Sequence, residues 1–146
     1  MVSEVPSHAQ VVIIGGGVAG CSVAYHLTRL GWQDVVLLER KSLTSGTTWH
    51  AAGLIGQLRA THNLTRLAQY TAELYAALEK ETGQATGFRQ NGSLSIASEP
   101  ERFEELRRGA SMASCFGLEA EVISPAEARE LHPLIETGDL VGAVFL

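Results

Sequence analysis

Residues 10–31 read QVVIIGGGVAGCSVAYHLTRLG and carry the clearest fold signal in the chain. This stretch begins with the apolar run VVII, which is typical of a parallel strand covered on both faces. Glycines follow at once, and apolar residues then recur at helical spacing until Gly31 ends the pattern. A second apolar run, DVVLLE at 34–39, ends in an acid. The sequence therefore predicts a βαβ unit with two parallel strands.

The glycines between the first strand and the helix have the spacing GxGxxG, with Gly15, Gly17 and Gly20 at its fixed positions. The first glycine permits the tight turn, the second removes a Cβ that would hold a pyrophosphate away, and the third lets the helix pack closely on the strand. The backbone N–H groups of Val18 and Ala19 are expected to face the phosphates. The strand before and the helix after these glycines favour dinucleotide binding over a plain tight turn.

Glu39 ends the second strand 19 residues after Gly20. An acid at this point accepts hydrogen bonds from a ribose 2′-hydroxyl and disfavours a 2′-phosphate. Arg40 and Lys41 are the opposing observation, because basic residues favour NADP, but the retained acid outweighs them. These residues alone do not distinguish NAD from FAD.

Composition and charge exclude several other functions. The chain has 146 residues, 45% of them hydrophobic and 18% charged, with a net charge of −5, which gives no support for binding nucleic acid or an anionic membrane. Cys21 and Cys115 belong to no disulfide or metal motif, and no histidines and acids share metal-ligand spacing. No apolar run approaches the roughly 20 residues of a membrane span. Without a secretory signal or an Arg-rich presequence, we expect a cytoplasmic protein that binds no metal.

Residues 63–83 predict the longest helix, with Asn63 as a possible cap and Gly83 at its end. Its apolar face is marked by Leu64, Leu67, Thr71, Leu74 and Leu78. A half-buried strand at 92–98 and a helix from Pro100 to Gly117 follow.

A short strand, EAEVI, precedes the helix SPAEARELH, in which Ser124 and Glu127 have capping-box spacing. The last residues, LVGAVFL, predict another strand. We place a soft boundary near residue 85, between a cofactor-binding part at 1–85 and the start of a substrate lobe at 86–146. Because a buried strand is an unusual terminus, we interpret the chain as the amino-terminal piece of a longer protein, with an incomplete second lobe.

The stretch KSLTSGTTWHAAGL, residues 41–54, is too rich in small residues for a core strand. The segments VVIIGGGVAGCSVAYHL, VVLLER and SGTTWHAAGL, in this order, resemble the FAD-dependent dehydrogenases and oxidases that act on dimethylglycine and sarcosine. The resemblance continues through ETGQATGFRQNGSLSIAS and ERFEELRR and so covers nearly the whole chain. The Trp-His-Ala-Ala-Gly element is its most specific part.

The resemblance implies a Rossmann-like FAD-binding fold of the D-amino-acid-oxidase type, in the α/β class. It implies that FAD contacts Val18, Ala19, Glu39 and Arg40, and that the second motif binds it through Gly46, Thr47, Thr48, Trp49, His50, Ala51, Ala52, Gly53 and Leu54. It further implies that His50 forms a covalent bond to the flavin, which suits the nucleophilic nitrogen of a neutral imidazole. A loop histidine that hydrogen-bonds a noncovalent flavin, or a purely structural one, is the alternative.

The resemblance also implies the reaction, an oxidative demethylation of dimethylglycine or sarcosine. A hydride passes from the N-methyl carbon to the flavin, and the iminium product yields formaldehyde or passes its carbon to a folate bound by a later domain. No catalytic base is evident, so we expect the catalytic residues beyond residue 146. Arg59 and Arg66 are candidates to pair with a substrate carboxylate, with plain surface positions as the alternative.

Two other functional classes remain open from the residues. One is an NAD-dependent dehydrogenase on the same fold, which would show no flavin absorbance. The other is a non-catalytic regulatory relative, or a truncated piece that binds no cofactor. We expect the isolated 146-residue chain to be colourless and the full-length product to be yellow.

Overall fold

The computed structural model describes residues 6–146. The chain separates into two compact units, Met1–Leu54 and Ile55–Leu146. The predicted boundary near residue 85 lies within the second of these. The assignment of a cofactor part and a substrate lobe to residues 1–85 and 86–146 stays a prediction.

The first unit is the predicted βαβ arrangement. Strand β1 (Val11–Ile14), helix α1 (Val18–Arg29) and strand β2 (Val35–Leu38) follow one another. The strands pair in parallel, with Val11 opposite Val35. A 3₁₀ helix at Thr47–His50 then interrupts the small-residue segment.

Gly31 ends α1 as the sequence predicts. It has a left-handed φ of +91°, and its N–H donates to the carbonyl of Thr28 while that of Trp32 donates to Leu27. These two bonds form a Schellman motif, which satisfies carbonyls at the helix end and favours glycine.

The second unit contains three strands and three helices, as the sequence predicts. In chain order these are α2 (His62–Thr82), β3 (Leu94–Ala97), α3 (Pro100–Cys115), β4 (Glu121–Ile123), α4 (Pro125–Leu131) and β5 (Gly142–Phe145). The strands form one antiparallel sheet in the order β3-β5-β4. The final stretch, predicted as a strand, is therefore the central one.

Most of the fully buried residues in the core of the second unit are alanines. Ile123, Ala128 and Ala143 form a buried cluster against Leu94 and Phe145. Alanines of α3 and the sheet, Ala97, Ala110 and Ala113, are also buried. Alanine lets backbones approach closely, so tight packing here depends on the absence of bulk.

The helix caps of the second unit confirm one prediction and correct another. Ser124 and Glu127 form the predicted capping box at the start of α4. The cap of α2 is Thr61, whose hydroxyl accepts from the N–H of Leu64 at 3.4 Å, and not Asn63. Asn63 lies inside the first turn because the helix begins one residue before it.

The predicted apolar face of α2 is only partly covered, because Thr71, Leu74 and Leu78 are half-buried and its first two leucines are exposed. Leu64 and Leu67 are 51% and 62% exposed, whereas Thr65 and Ala72 are buried. The hydrophobic spacing thus predicts the carboxy-terminal part of this face, but the fully buried positions of the helix hold smaller side chains.

Candidate functional site

Gly15 and Gly20 have the geometry that the fingerprint requires. Gly15 has a left-handed φ of +102°, and its N–H donates to the carbonyl of Leu38 at 2.8 Å. A Cβ on Gly20 would collide with the carbonyl oxygen of Gly15 and lie 3.3 Å from Ile13. Close contact between α1 and the turn is therefore possible only without a side chain at Gly20.

Gly16, an unspecified position of the motif, is as constrained as its neighbours. It is buried, and a Cβ there would lie 2.5 Å from Leu43 and 3.1 Å from the Cβ of Glu39. Its carbonyl accepts from the N–H of Thr44 at 2.8 Å, and Thr44 itself has a left-handed φ of 62°. The run of three glycines was the available signal for this role, which sequence reasoning missed.

Glu39 lies directly beside the glycine turn. Its carboxylate accepts from the N–H of Gly16 at 2.8 Å and from that of Lys41 at 2.9 Å. These two bonds, the Gly16 bond first, lower the pKa of Glu39, and the charge of Arg40 adds a smaller effect. Each carboxylate oxygen keeps a second lone pair. The group is thus an anion that can still accept hydrogen bonds from a ribose.

Thr48 reaches the amino-terminus of α1. Its Oγ1 accepts from the N–H of Val18 at 2.9 Å, and a Cβ on Gly17 would lie 2.9 Å from the same oxygen. Of the two N–H groups predicted to face phosphates, that of Val18 therefore already donates to Thr48. Within residues 6–146 the N–H of Ala19 has no acceptor, so it can bind an anion.

His50 ends the 3₁₀ helix and is exposed. Its Nδ1 lies 3.0 Å from the carbonyl oxygen of Gly46. Because a carbonyl oxygen only accepts, Nδ1 is the donor in this bond, and in the neutral imidazole Nε2 is then the nitrogen with the free lone pair. The neighbouring Trp49 is 69% exposed, and its ring centroid lies 4.5 Å from that of His50.

The rest of the second motif consists mostly of small residues. The remaining members of the segment are exposed: Gly46, Thr47, Ala51, Ala52, Gly53 and Leu54. Gly53 has a left-handed φ of +74°. A flat ligand could therefore approach this backbone closely, as the small residues suggest.

The other candidates have ordinary surroundings. His26 is partly buried in α1 and its Nδ1 lies 2.7 Å from the carbonyl oxygen of Ser22. Cys21 and Cys115 are free thiols. Residues 6–146 contain no cluster of three histidine, cysteine or acidic side chains that could hold a metal. None of the helices described there has the length and apolar character to cross a bilayer.

Arg59 borders a cavity of about 330 Å³ in the second unit. Its guanidinium donates to the carbonyl of Leu58, and the side chain is exposed. The hydroxyl of the fully buried Thr65 accepts from the N–H of Arg59 at 3.1 Å and donates to its carbonyl at 3.2 Å. Arg66 is exposed. A carboxylate-binding role for either arginine stays a prediction.

Residues 10–146 match the family described as FAD dependent oxidoreductase. The chain belongs to this family. The match confirms FAD rather than NAD as the cofactor type of the fold.

Three relatives show where the sequence similarity lies. The chain is 48% identical to sarcosine dehydrogenase, mitochondrial, from Homo sapiens over 97% of its own length and 16% of the relative's. It is 45% identical to the mitochondrial pyruvate dehydrogenase phosphatase regulatory subunit of Mus musculus, again over 97% and 16%. Identity to dimethylglycine dehydrogenase, mitochondrial, from Rattus norvegicus is 41% over 97% and 17%. The chain thus spans about one-sixth of these relatives.

Among solved structures, the L-proline dehydrogenase of P. horikoshii is similar to the chain with a TM-score of 0.88 and 27% identity. The similarity covers 97% of this chain and 37% of that one. The predicted fold class is confirmed, because the family match and this structure both assign the chain to the α/β FAD-binding fold.

Proposed function

We propose that the complete gene product containing residues 1–146 is an FAD-dependent amine oxidoreductase that demethylates an N-methylated glycine. The family match over residues 10–146 carries this proposal. The names of two relatives, sarcosine and dimethylglycine dehydrogenase, support the substrate class. When bound, FAD accepts the hydride that the N-methyl carbon of the substrate gives up.

The described residues fit the dinucleotide part of FAD. Glu39 offers a carboxylate held by two backbone N–H groups, which suits a ribose hydroxyl. The start of α1 offers the free N–H of Ala19 and positive partial charge, which suits a pyrophosphate. We propose that the cofactor contacts both motifs: Gly15, Gly17, Val18, Ala19, Gly20, Glu39, Arg40, Gly46, Thr47, Thr48, Trp49, His50, Ala51, Ala52, Gly53 and Leu54.

His50 is the proposed point of covalent attachment. Its exposed ring, with Nδ1 bound to the Gly46 carbonyl, leaves Nε2 as the nucleophile. Attachment would join Nε2 to the methyl carbon on the flavin's benzenoid ring. That carbon and the imidazole would each lose one proton, and two electrons would pass with these protons to dioxygen, which would become hydrogen peroxide.

A regulatory role is the second candidate. The regulatory subunit of pyruvate dehydrogenase phosphatase is nearly as similar to this chain as sarcosine dehydrogenase is. Similarity over this region therefore does not separate an enzyme from a regulatory relative. Turnover of an N-methylated amine would distinguish the enzyme from the regulatory relative.

The predicted partners and cellular compartment are more specific than the family match can show. We propose that the methyl carbon leaves as formaldehyde or passes to a folate bound elsewhere in the protein. The cytoplasm stays our predicted compartment, although the three relatives compared above are named as mitochondrial proteins.

Purification of the complete gene product tests these proposals in order. We expect a yellow protein that reduces an artificial acceptor with sarcosine or dimethylglycine, and whose flavin precipitates with the protein in acid. A His50→Ala variant is the matched control and should release its flavin to the supernatant. A colourless protein would contradict FAD binding, and a yellow protein without turnover would favour the regulatory role. Release of all flavin from the unaltered protein would contradict attachment at His50.

A further inference from the structure

The side chain that accepts a hydrogen bond from the amino-terminus of helix α1 comes from a distant part of the sequence. Its N-cap, Gly17, has no side chain, and no acid lies in its first turn. The hydroxyl of Thr48, 30 residues later, accepts from the N–H of Val18 at 2.9 Å. A backbone group that Ser, Thr or Asp normally satisfies locally is here satisfied by the second motif.

Thr48 is also the attachment point of the segment that carries His50. Inside residues 46–51, Ala51 donates to the carbonyl of Thr48 and His50 donates to Gly46. Among residues 6–146, the Val18–Thr48 bond is the hydrogen bond that joins residues 46–51 to another element. The exposure of Trp49 and His50 means that packing adds little to this attachment.

We propose that Thr48 is a positioning residue for His50. Its hydroxyl fixes the 3₁₀ helix to the first turn of α1, so the imidazole two residues later has a defined place relative to the phosphate-binding end of the helix. The inference rests on the proposed attachment of flavin at His50. It differs from plain cofactor binding, because it assigns to Thr48 the orientation of His50 rather than the affinity for FAD.

The isosteric change Thr48→Val separates these two roles. It removes the acceptor of the Val18 N–H and keeps the side-chain volume, whereas Thr48→Ser keeps the hydroxyl. Poor orientation of a reacting group costs up to about 100-fold in rate, while one lost neutral hydrogen bond costs about 2- to 12-fold in an equilibrium. Thr48→Val should therefore slow attachment more than it weakens binding.

The experiment uses flavin-free complete gene product mixed with FAD. We expect acid-stable flavin to appear about 10- to 100-fold more slowly in Thr48→Val and at nearly the normal rate in Thr48→Ser. FAD affinity, compared between His50→Ala and His50→Ala/Thr48→Val, should fall by a smaller factor. Equal losses of rate and affinity, or an unchanged rate, would overturn the positioning role.

Amide hydrogen exchange of the peptide covering residues 46–54 gives a reading that does not depend on covalent flavin. Exchange should be faster in Thr48→Val and unchanged in Thr48→Ser. Unchanged exchange in Thr48→Val would overturn the inference even if flavin is attached. If unaltered protein holds no acid-stable flavin, the proposed attachment fails, and faster exchange still supports the anchoring of this segment by Thr48.

Discussion

The two units of the chain are specified by different kinds of interaction. In the described part of the first unit only Ile13 and Gly16 are buried, and its geometry depends on glycines and on hydrogen bonds between loops. The second unit instead buries a set of small side chains between its helices and sheet. In the first unit an added atom should do most damage at the glycine turn, whereas the second unit should also be sensitive to unpaired buried polar groups and lost helix caps.

Gly20→Ala is the change with the largest expected effect. The new Cβ meets a backbone carbonyl, that of Gly15, which cannot turn aside. We expect a loss of about 3 kcal/mol in unfolding free energy and no bound FAD, measured by urea unfolding and flavin content. The matched control is Gly109→Ala in α3, where the new Cβ would meet no atom within 4 Å apart from its chain neighbours and its own helix backbone. It should stabilise the chain by about 0.5–1 kcal/mol. Equal behaviour of the two variants would contradict the dependence of the first unit on a side-chain-free glycine turn.

Thr65→Val tests whether the second unit depends on a buried hydroxyl group. The change leaves the N–H and carbonyl of Arg59 without the buried hydroxyl that pairs with both. We expect a loss of about 2 kcal/mol in unfolding free energy. Thr71→Val, in the same helix, removes only a bond to the carbonyl of Leu67 and should change stability by less than about 0.5 kcal/mol. A neutral Thr65→Val would show that this hydroxyl is not needed.

Glu39 gives the first unit a pH dependence. The pKa of its carboxyl is lowered by the N–H groups of Gly16 and Lys41. Its stabilising contribution is therefore complete above the ordinary glutamate pKa of about 4.3 and is lost as the pH falls through the lowered value. Below that pH, unfolding free energy should fall more steeply in the unaltered chain than in Glu39→Gln. Near neutral pH, Glu39→Gln should weaken FAD binding about tenfold. Parallel pH profiles would contradict this role.

Ser124→Ala should have the smallest effect. It removes the hydroxyl of the capping box at the start of α4, which costs about 1 kcal/mol. Ser111→Ala in α3 is the control, because that hydroxyl only donates to the carbonyl of Arg107. It should change the urea midpoint little. A Ser124→Ala midpoint equal to that of the control would show that the cap contributes nothing to the second unit.

Rules that use only residues close in sequence predict much of the fold. The βαβ unit, the glycine ends of α1 and α3, and the capping box of α4 follow from residues close in sequence. The same rules failed at the start of α2, because Thr61 and Asn63 are both good caps and only the observed backbone distinguishes them. They also predicted an apolar face built mainly of leucines on α2, whereas the fully buried residues of this helix are Thr65 and Ala72.

Residue types alone predict the glycine turn, the acid after β2 and the small-residue segment that resembles an FAD motif. These features depend on backbone conformation and residue type, which are local. Three other features are visible only after folding: Gly16 must be glycine, Thr48 binds the start of α1, and β5 is the central strand. Each of these depends on atoms far apart in sequence that meet only after folding, so no local pattern encodes them.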